Sequence, residues 1–415
     1  MRLALIIDDY LPQSTRVGAK MFHELAKKLV ESGHDITVIT PDEHIKKALE
    51  ITDFDGVEVW RFRSGKIKNV GKVKRAINET LLSFLGWKAI RGHISPHDFD
   101  GVVYYSPSIF FGGLVRKIKK HCNCPSYLVL RDFFPQWAID AGMIKQGSLI
   151  EKYFRYFERR SYYEANTIGV MSEKNKESFE RFHGKDFPVE ILRNWADLSK
   201  YNSLKENETR ERFNIKNKII YFYGGNIGHA QDMVNLIRLA RNMRQYENAH
   251  FLFIGQGDEV DLILDMAKKW ELDNFSYFPP VDQNEFKDIL SSVDVGLFSL
   301  SSKHTAHNFP GKLLGYMVQE IPILGSVNQG NDLLDLVNNN SAGYITINGD
   351  DEALLANAVS LYHSANLRKK LGKGGYKLLC EEFSVESAEK SIISNLEIEH
   401  ERISQRLIRF NVPRG

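Results

Sequence analysis

Tyr221-Phe-Tyr-Gly-Gly-Asn-Ile-Gly-His-Ala-Gln-Asp232 is the stretch from which the fold can be read. The apolar run Ile219–Tyr223 gives way to Gly224, Gly225 and Gly228, and a helical pattern follows over Asp232–Met243. Met233, Leu236, Ile237, Ala240 and Met243 share one face of that helix. A buried strand that passes through glycines into an amphipathic helix is the turn of a parallel α/β domain. Without a Cβ the backbone can approach a ligand closely, and the free N–H groups of a helix start attract anions. The segment reads either as a diphosphate cradle, formed by Gly224, Gly225, Asn226 and Gly228, or as a tight strand–helix turn. It is not G-x-x-x-x-G-K-[ST], and its glycines do not complete G-x-G-x-x-G. A nicotinamide dehydrogenase is disfavoured on that ground.

The same alternation extends in both directions. Leu3–Ile7 is a continuous apolar run, as a parallel strand buried on both faces requires. A polar loop from Asp8 to Gly18 follows, then a helix with Phe22, Leu25, Ala26, Leu29 and Val30 at helical spacing and Gly33 as its stop. Ile36–Ile39, Val57–Phe62, Val102–Tyr105, Tyr127–Leu130 and Thr167–Met171 read as further strands. A polar, aperiodic stretch at 194–207 interrupts them. Beyond it, Phe251–Ile254, Val293–Phe298 and Pro322–Leu324 resume the pattern, and Glu381–Phe410 reads as a long charged and apolar helix. We expect two doubly wound α/β domains, 1–196 and 197–380, followed by a helical segment, 381–415. Domains of this kind take ligands at the carboxyl ends of their strands, here in the cleft between them.

Length and composition agree with that organisation. The 415 residues are enough for two or three domains, with 43% apolar and 26% charged residues. Lys and Arg number 55 against 53 Asp and Glu, a formal charge of +2, so no global field points to nucleic acid. Cys122, Cys124 and Cys380 are too few for a disulfide framework, and no second Cys/His cluster completes a metal site around the first two. The amino-terminal apolar run is cut by Asp8 and Asp9, too short for a signal peptide, and no stretch reaches the roughly 20 apolar residues of a spanning helix. The expected location is the cytosol or the cytosolic face of a membrane.

Other residues bear on chemistry. In Asn308-Phe-Pro-Gly-Lys-Leu-Leu-Gly-Tyr-Met317, Pro310 suits a first helical position, which puts Lys312 in the first turn. A cation there opposes the helix dipole unless something negative is bound. Asp132, in Leu130-Arg-Asp-Phe-Phe-Pro135, follows a strand and is either a general base or a cap for the next helix. The triplets Asp53-Phe-Asp55 and Asp98-Phe-Asp100 precede strands and read as entry turns rather than metal ligands. From Lys66 to Arg91, seven cations face one acid, Glu79, beside Phe84, Leu85 and Trp87. That composition fits either an anionic lipid surface or a solvated helix.

With these motifs in place, the chain resembles the family 4 glycosyltransferases over nearly its whole length. Ser14–Lys20, with Arg16 and Gly18, sits where that family has its acceptor-side glycine loop, and Arg131 joins the same side. Gly224–Gly228 matches the donor diphosphate loop, Phe253-Ile-Gly-Gln-Gly257 the "IGxG" strand end with Gly255, and Tyr277-Phe-Pro-Pro-Val281 the nucleobase loop with Pro280 and Val281. The opening Leu5-Ile-Ile-Asp-Asp-Tyr-Leu-Pro12 and the run Lys303-His-Thr-Ala-His-Asn-Phe-Pro-Gly-Lys312 look like the WbuB-type subgroup, N-acetyl-L-fucosamine transferases of bacterial O-antigen assembly. The resemblance implies a GT-B fold whose last helix packs back on the first domain. It also implies a retaining, metal-independent transferase without a cofactor, taking a UDP-sugar donor and a lipid-linked acceptor.

It further implies donor contacts from His307, Asn308, Phe309, Pro310, Gly311, Lys312 and Leu313. The family's E-x7-E motif would align its glutamates with His307 and Gly315, so neither carboxylate is present, which is compatible with a deoxy sugar. Basic residues usual on the diphosphate are missing around Asn226 and Gln231, with Lys312 or Arg193 as the replacement. An epimerase of the same fold would need no acceptor, and a ligand-binding protein would capture without turnover.

Overall fold

The apolar runs form two parallel sheets, each wrapped by helices. The computed structural model describes residues 1–411 except Thr15, 68–69, Pro107, Ala141, Asp197, 202–205 and 303–309, with the side chains of all but Lys72, 206–207, 283–284 and 406–411. The chain divides into two units, Met1–Arg193 with Val385–Gly415, and Asn194–Ser384.

In the first unit the strands are β1 (Arg2–Ile6), β2 (Asp35–Asp42), β3 (Leu49–Phe54), β4 (Val57–Arg63), β5 (Gly101–Ser106), β6 (Ser126–Leu130), β7 (Thr167–Val170) and β8 (Val189–Ile191). They lie in the order β3-β4-β2-β1-β5-β6-β7-β8, all parallel except β3. The helices are α1 (Val17–Glu31), α2 (Lys72–Ile90), α3 (Gly112–Cys122), α4 (Gln136–Asp140), α5 (Leu149–Glu164) and α6 (Glu173–His183). Leu3, Ala4, Leu5 and Ile6 are wholly buried, as a strand covered on both faces must be.

The Asp53–Asp55 triplet leads into β4 as expected, and the structure adds the strand before it. It belongs to an antiparallel hairpin, with Asp53 inside β3 and Asp55 and Gly56 at positive φ in the turn. The Asp53 carboxylate accepts from the Gly56 N–H at 3.1 Å. Asp100 accepts from the Arg2 N–H at 2.8 Å and closes an entry turn, as expected.

The second unit has β9 (Ile219–Asn226), β10 (Ala249–Gln256), β11 (Phe275–Phe278), β12 (Val295–Ser299), β13 (Ile323–Val327) and β14 (Gly343–Ile347), in the all-parallel order β11-β10-β9-β12-β13-β14. Its helices are α7 (Glu206–Arg212), α8 (Met233–Asn242), α9 (Val260–Lys269), α10 (Gln283–Leu290), α11 (Gly311–Val318), α12 (Leu333–Asn339), α13 (Asp351–His363) and α14 (Ala365–Glu382). The last helix, α15 (Val385–Asn411), belongs to the first unit. There Glu190 of β8 accepts from Ser391 Oγ at 2.6 Å and Asn395 Nδ2 at 2.7 Å, and Lys28 of α1 pairs with Glu386 at 3.1 Å.

The strand orders fix where each unit can bind. Connections reverse between β1 and β5 in the first sheet and between β9 and β12 in the second. At such a switch point the two loops leave in opposite directions and open a crevice above the carboxyl ends of the strands.

Candidate active site

In the second unit the carboxyl ends of β9 and β10, beside the switch point, form a polar, glycine-lined recess. Gly225, next to last in β9, has φ +118°, a conformation that side chains rarely adopt. Next to it on β10, a Cβ at Gly255 would lie 1.8 Å from the Gly225 carbonyl oxygen, so only glycine fits. Gly225, Asn226 and Gly255 line a cavity of about 280 Å³ together with Pro280, Val281, Ile254, Gln256 and Phe286. Five expected donor residues therefore meet in one place. Asn226 Nδ2 donates to Gln231 Oε1 at 2.8 Å, with Gly228 in the bend between them.

Lys312 lies beside this loop. α11 begins at Gly311, one residue later than expected, with Pro310 preceding it in an extended conformation. The Lys312 ammonium sits 3.7 Å from the centre of the Tyr223 ring and 3.6 Å from where a Gly225 Cβ would be. Among the described residues Nζ has no hydrogen-bond partner although it is buried. Burial lowers its pKa from the ordinary 10.5 to about 7. An unpaired buried ammonium next to a glycine cradle is a receptor for an anion.

Other members of the expected run fare differently. Leu313 is wholly buried in the core beneath α11, so its assignment to the donor site is corrected. A Cβ at Gly311 would meet nothing within 4 Å, so no close approach requires glycine there. His307, Asn308 and Phe309 lie outside the described residues. Phe286 was missed; its ring fills the space above Gly224, where a Cβ would fall 2.6 Å from it.

The first unit gathers a second polar group at its own switch point. After β1, Asp9 accepts from Ser14 Oγ at 2.6 Å and pairs with Arg16 Nε at 3.7 Å. Gly18, in the first turn of α1, lets Tyr105 of β5 approach, since a Cβ would fall 2.8 Å from the Tyr105 hydroxyl. Asp132 follows β6. Its carboxylate makes no hydrogen bond or ion pair among the described residues, and α4 starts four residues later, so it does not cap that helix. Burial raises its pKa, and the charge of Asp8 raises it further. Arg131 is turned inward, donating to the carbonyls of Leu192 at 2.8 Å and Arg193 at 3.1 Å. Arg193 belongs to this unit, whereas the glycine loop belongs to the other.

Outside these groups, Cys122 and Cys124 are buried, which raises both thiol pKa values, that of Cys124 to about 12. No group of three or more His, Cys, Asp or Glu among the described residues is placed to hold a metal. None of the described helices is long and apolar enough to cross a membrane. On α2, Phe84 is exposed as expected, while Leu85 and Trp87 pack against the core, which corrects their place on the expected surface. The exposed stripe is Val73, Ile77, Leu81 and Phe84, flanked by the exposed Lys74, Arg75 and Lys88.

Known structures share this fold. HepE of Anabaena, solved with UDP, is 12% identical with a TM-score of 0.68, covering 96% of this chain and 100% of its own. WaaG, described as a glycosyltransferase involved in lipopolysaccharide biosynthesis, is 14% identical with a TM-score of 0.61, covering 94% and 99%. The architecture is the GT-B fold of glycosyltransferases. Residues 18–200 match the family model described as Glycosyltransferase Family 4, and residues 205–378 match Glycosyl transferases group 1. Between them they span most of the sequence. WcaI of Escherichia coli (strain K12), whose name makes it a glycosyl transferase of colanic acid biosynthesis, is 24% identical over 317 residues, 72% of this chain and 76% of WcaI. The chain belongs to the family 4 glycosyltransferases. That membership sets aside the epimerase and binding-protein readings.

Proposed function

We propose that the chain transfers a sugar from a uridine diphosphate donor, held by the second unit, to a lipid-linked saccharide in the assembly of a bacterial surface polysaccharide. The observation that carries this reading is Lys312. Its ammonium is desolvated, unpaired among the described residues and beside Gly225, where a leaving diphosphate needs neutralising charge. HepE's complex with UDP supports uridine as the base, and the names of WcaI and WaaG support the polysaccharide. Gly224, Gly225, Asn226, Gly228 and Gly255 form the diphosphate cradle in this reading, and Pro280 and Val281 pack on the base.

The transfer retains anomeric configuration, with the leaving phosphate helping to deprotonate the acceptor and Asp132 as the protein's candidate base. Arg16 and Gly18 belong to the acceptor side. With His307 and Gly315 standing where the family has glutamates, a deoxy sugar such as N-acetyl-L-fucosamine is the first donor to try. The exposed apolar stripe of α2, with its flanking cations, rests on an anionic membrane, which brings the enzyme to a lipid-linked acceptor.

Thermal unfolding with UDP, GDP and CDP tests the reading. A ligand at about 100 times its dissociation constant adds about 2.7 kcal/mol to the state that binds it. Stabilisation by UDP that disappears in Lys312→Met supports the proposal. Stabilisation that survives the substitution unchanged sinks the role of Lys312.

A further inference from the structure

In the first unit, α3 and α5 enclose a cavity of about 760 Å³ that none of the residues discussed above lines. Five cations face it, Arg116 from α3 and Lys152, Arg155, Arg159 and Arg160 from α5, against Glu151 and Glu164. Both acids are already engaged. Glu151 accepts from the Gly147 N–H at 2.5 Å and pairs with Arg155 at 3.6 Å, while Glu164 pairs with Arg116 at 3.8 Å. Arg155 is also held by Glu158 and Gln136. Lys152, Arg159 and Arg160 are left with no ion-pair partner among the described residues; Arg160 Nη1 only reaches the Tyr156 hydroxyl, at 3.4 Å.

Such a cluster costs the helix stability, since Arg155 and Arg159 stand one turn apart with like charge. An oxyanion in the cavity offsets that repulsion, and arginine forks match phosphate oxygens in pairs. The surroundings identify the source of the phosphate. Tyr156 and Tyr163 on the rim are exposed, and α5 also presents Leu149 and Ile150 to solvent, 83% and 60% exposed. The Tyr153 hydroxyl bonds Thr80 of α2, so the rim continues into the apolar stripe of that helix. Cations in a recess bordered by exposed tyrosines and aliphatic side chains complement a headgroup phosphate at the level where lipid meets water.

We propose that this cavity binds the phosphate of an anionic lipid headgroup. The site rests on the membrane reading of α2 and adds a discrete pocket to it, and the two fail separately. Dihexanoyl phosphatidylglycerol, kept monomeric, is titrated into the full chain by ligand-observed NMR. Wild type should bind it saturably at one site. Lys152→Gln with Arg159→Gln, both exposed and outside the donor and acceptor groups, should bind at least about tenfold more weakly, the worth of a charge-assisted hydrogen bond. That variant should keep the wild-type stabilisation by UDP. Lys74→Gln with Arg75→Gln should leave monomer binding unchanged while weakening attachment to phosphatidylglycerol vesicles. Absence of saturable binding, equal affinity in the cavity variant, loss in the α2 variant, or inorganic phosphate binding as tightly as the lipid would each overturn the assignment.

Discussion

Lys312→Met should make the unliganded protein more stable and the donor complex weaker. The substitution keeps an unbranched apolar stem over the Tyr223 ring and removes only the charge. In the folded protein, burial brings the Lys312 pKa to about 7, whereas the unfolded chain restores the ordinary 10.5. Between those values the unfolded chain holds a proton that the folded protein has shed. Stability therefore rises with pH across that window. Below about pH 7 the charged side chain costs the folded state on the order of 5 kcal/mol, at about 1.4 kcal/mol per pH unit. Denaturant unfolding at pH 6 and pH 10 measures this directly. The variant should exceed wild type by a few kcal/mol at pH 6 and by little at pH 10. UDP should stabilise wild type and not the variant, and wild-type affinity should fall about tenfold per pH unit above 7, because the ammonium must first be reprotonated. A variant less stable than wild type at pH 6, or one that UDP stabilises equally, refutes the reasoning.

Three further outcomes follow from other positions. Gly255→Ala drives a methyl to 1.8 Å from the Gly225 carbonyl and must push the two strand ends apart, costing about 2 kcal/mol or more in thermal unfolding and abolishing the UDP shift. Gly315→Ala, inside α11 with only Leu290 Cδ1 at 3.5 Å, should instead stabilise by about 0.5–1 kcal/mol, read by the same method. Asp132→Asn should lower kcat by about 100-fold with the donor KM unchanged, and the acidic limb of the wild-type rate profile should lie above the ordinary carboxylate range, since burial and Asp8 both raise that pKa; an unchanged kcat removes Asp132 from the chemistry.

What was legible in the chain depended on whether one local signal sufficed. β1, β5 and β9 are apolar runs because both faces of a central parallel strand are covered, so their sequence announces them without knowledge of neighbours. β3 gave no such signal. Glu50, Ile51, Thr52 and Asp53 are exposed at the sheet edge, and what makes them a strand is pairing with β4 across the Asp55–Gly56 turn. The glycine loop was legible because glycines after a strand have few other uses. Phe286 was not, since its ring reaches Gly224 from α10, more than fifty residues away in sequence.

Leu313 shows the opposite error, a residue assigned by its place in a motif when its helical spacing with Leu314 and Met317 already pointed inward. Lys312, its neighbour, was read correctly as unusual because a cation in a first helical turn opposes the dipole. The structure adds what no periodicity contains, namely that its ammonium is buried against an aromatic face without a hydrogen-bond partner among the described residues. Asn226 donates to Gln231 and His229 is paired with Glu259, so among the described residues the buried, unpaired cation beside the loop is Lys312. A site built on one desolvated cation should gain selectivity for doubly charged diphosphates over monophosphates, because the cost of charging Lys312 is offset only by an anion held within contact of it.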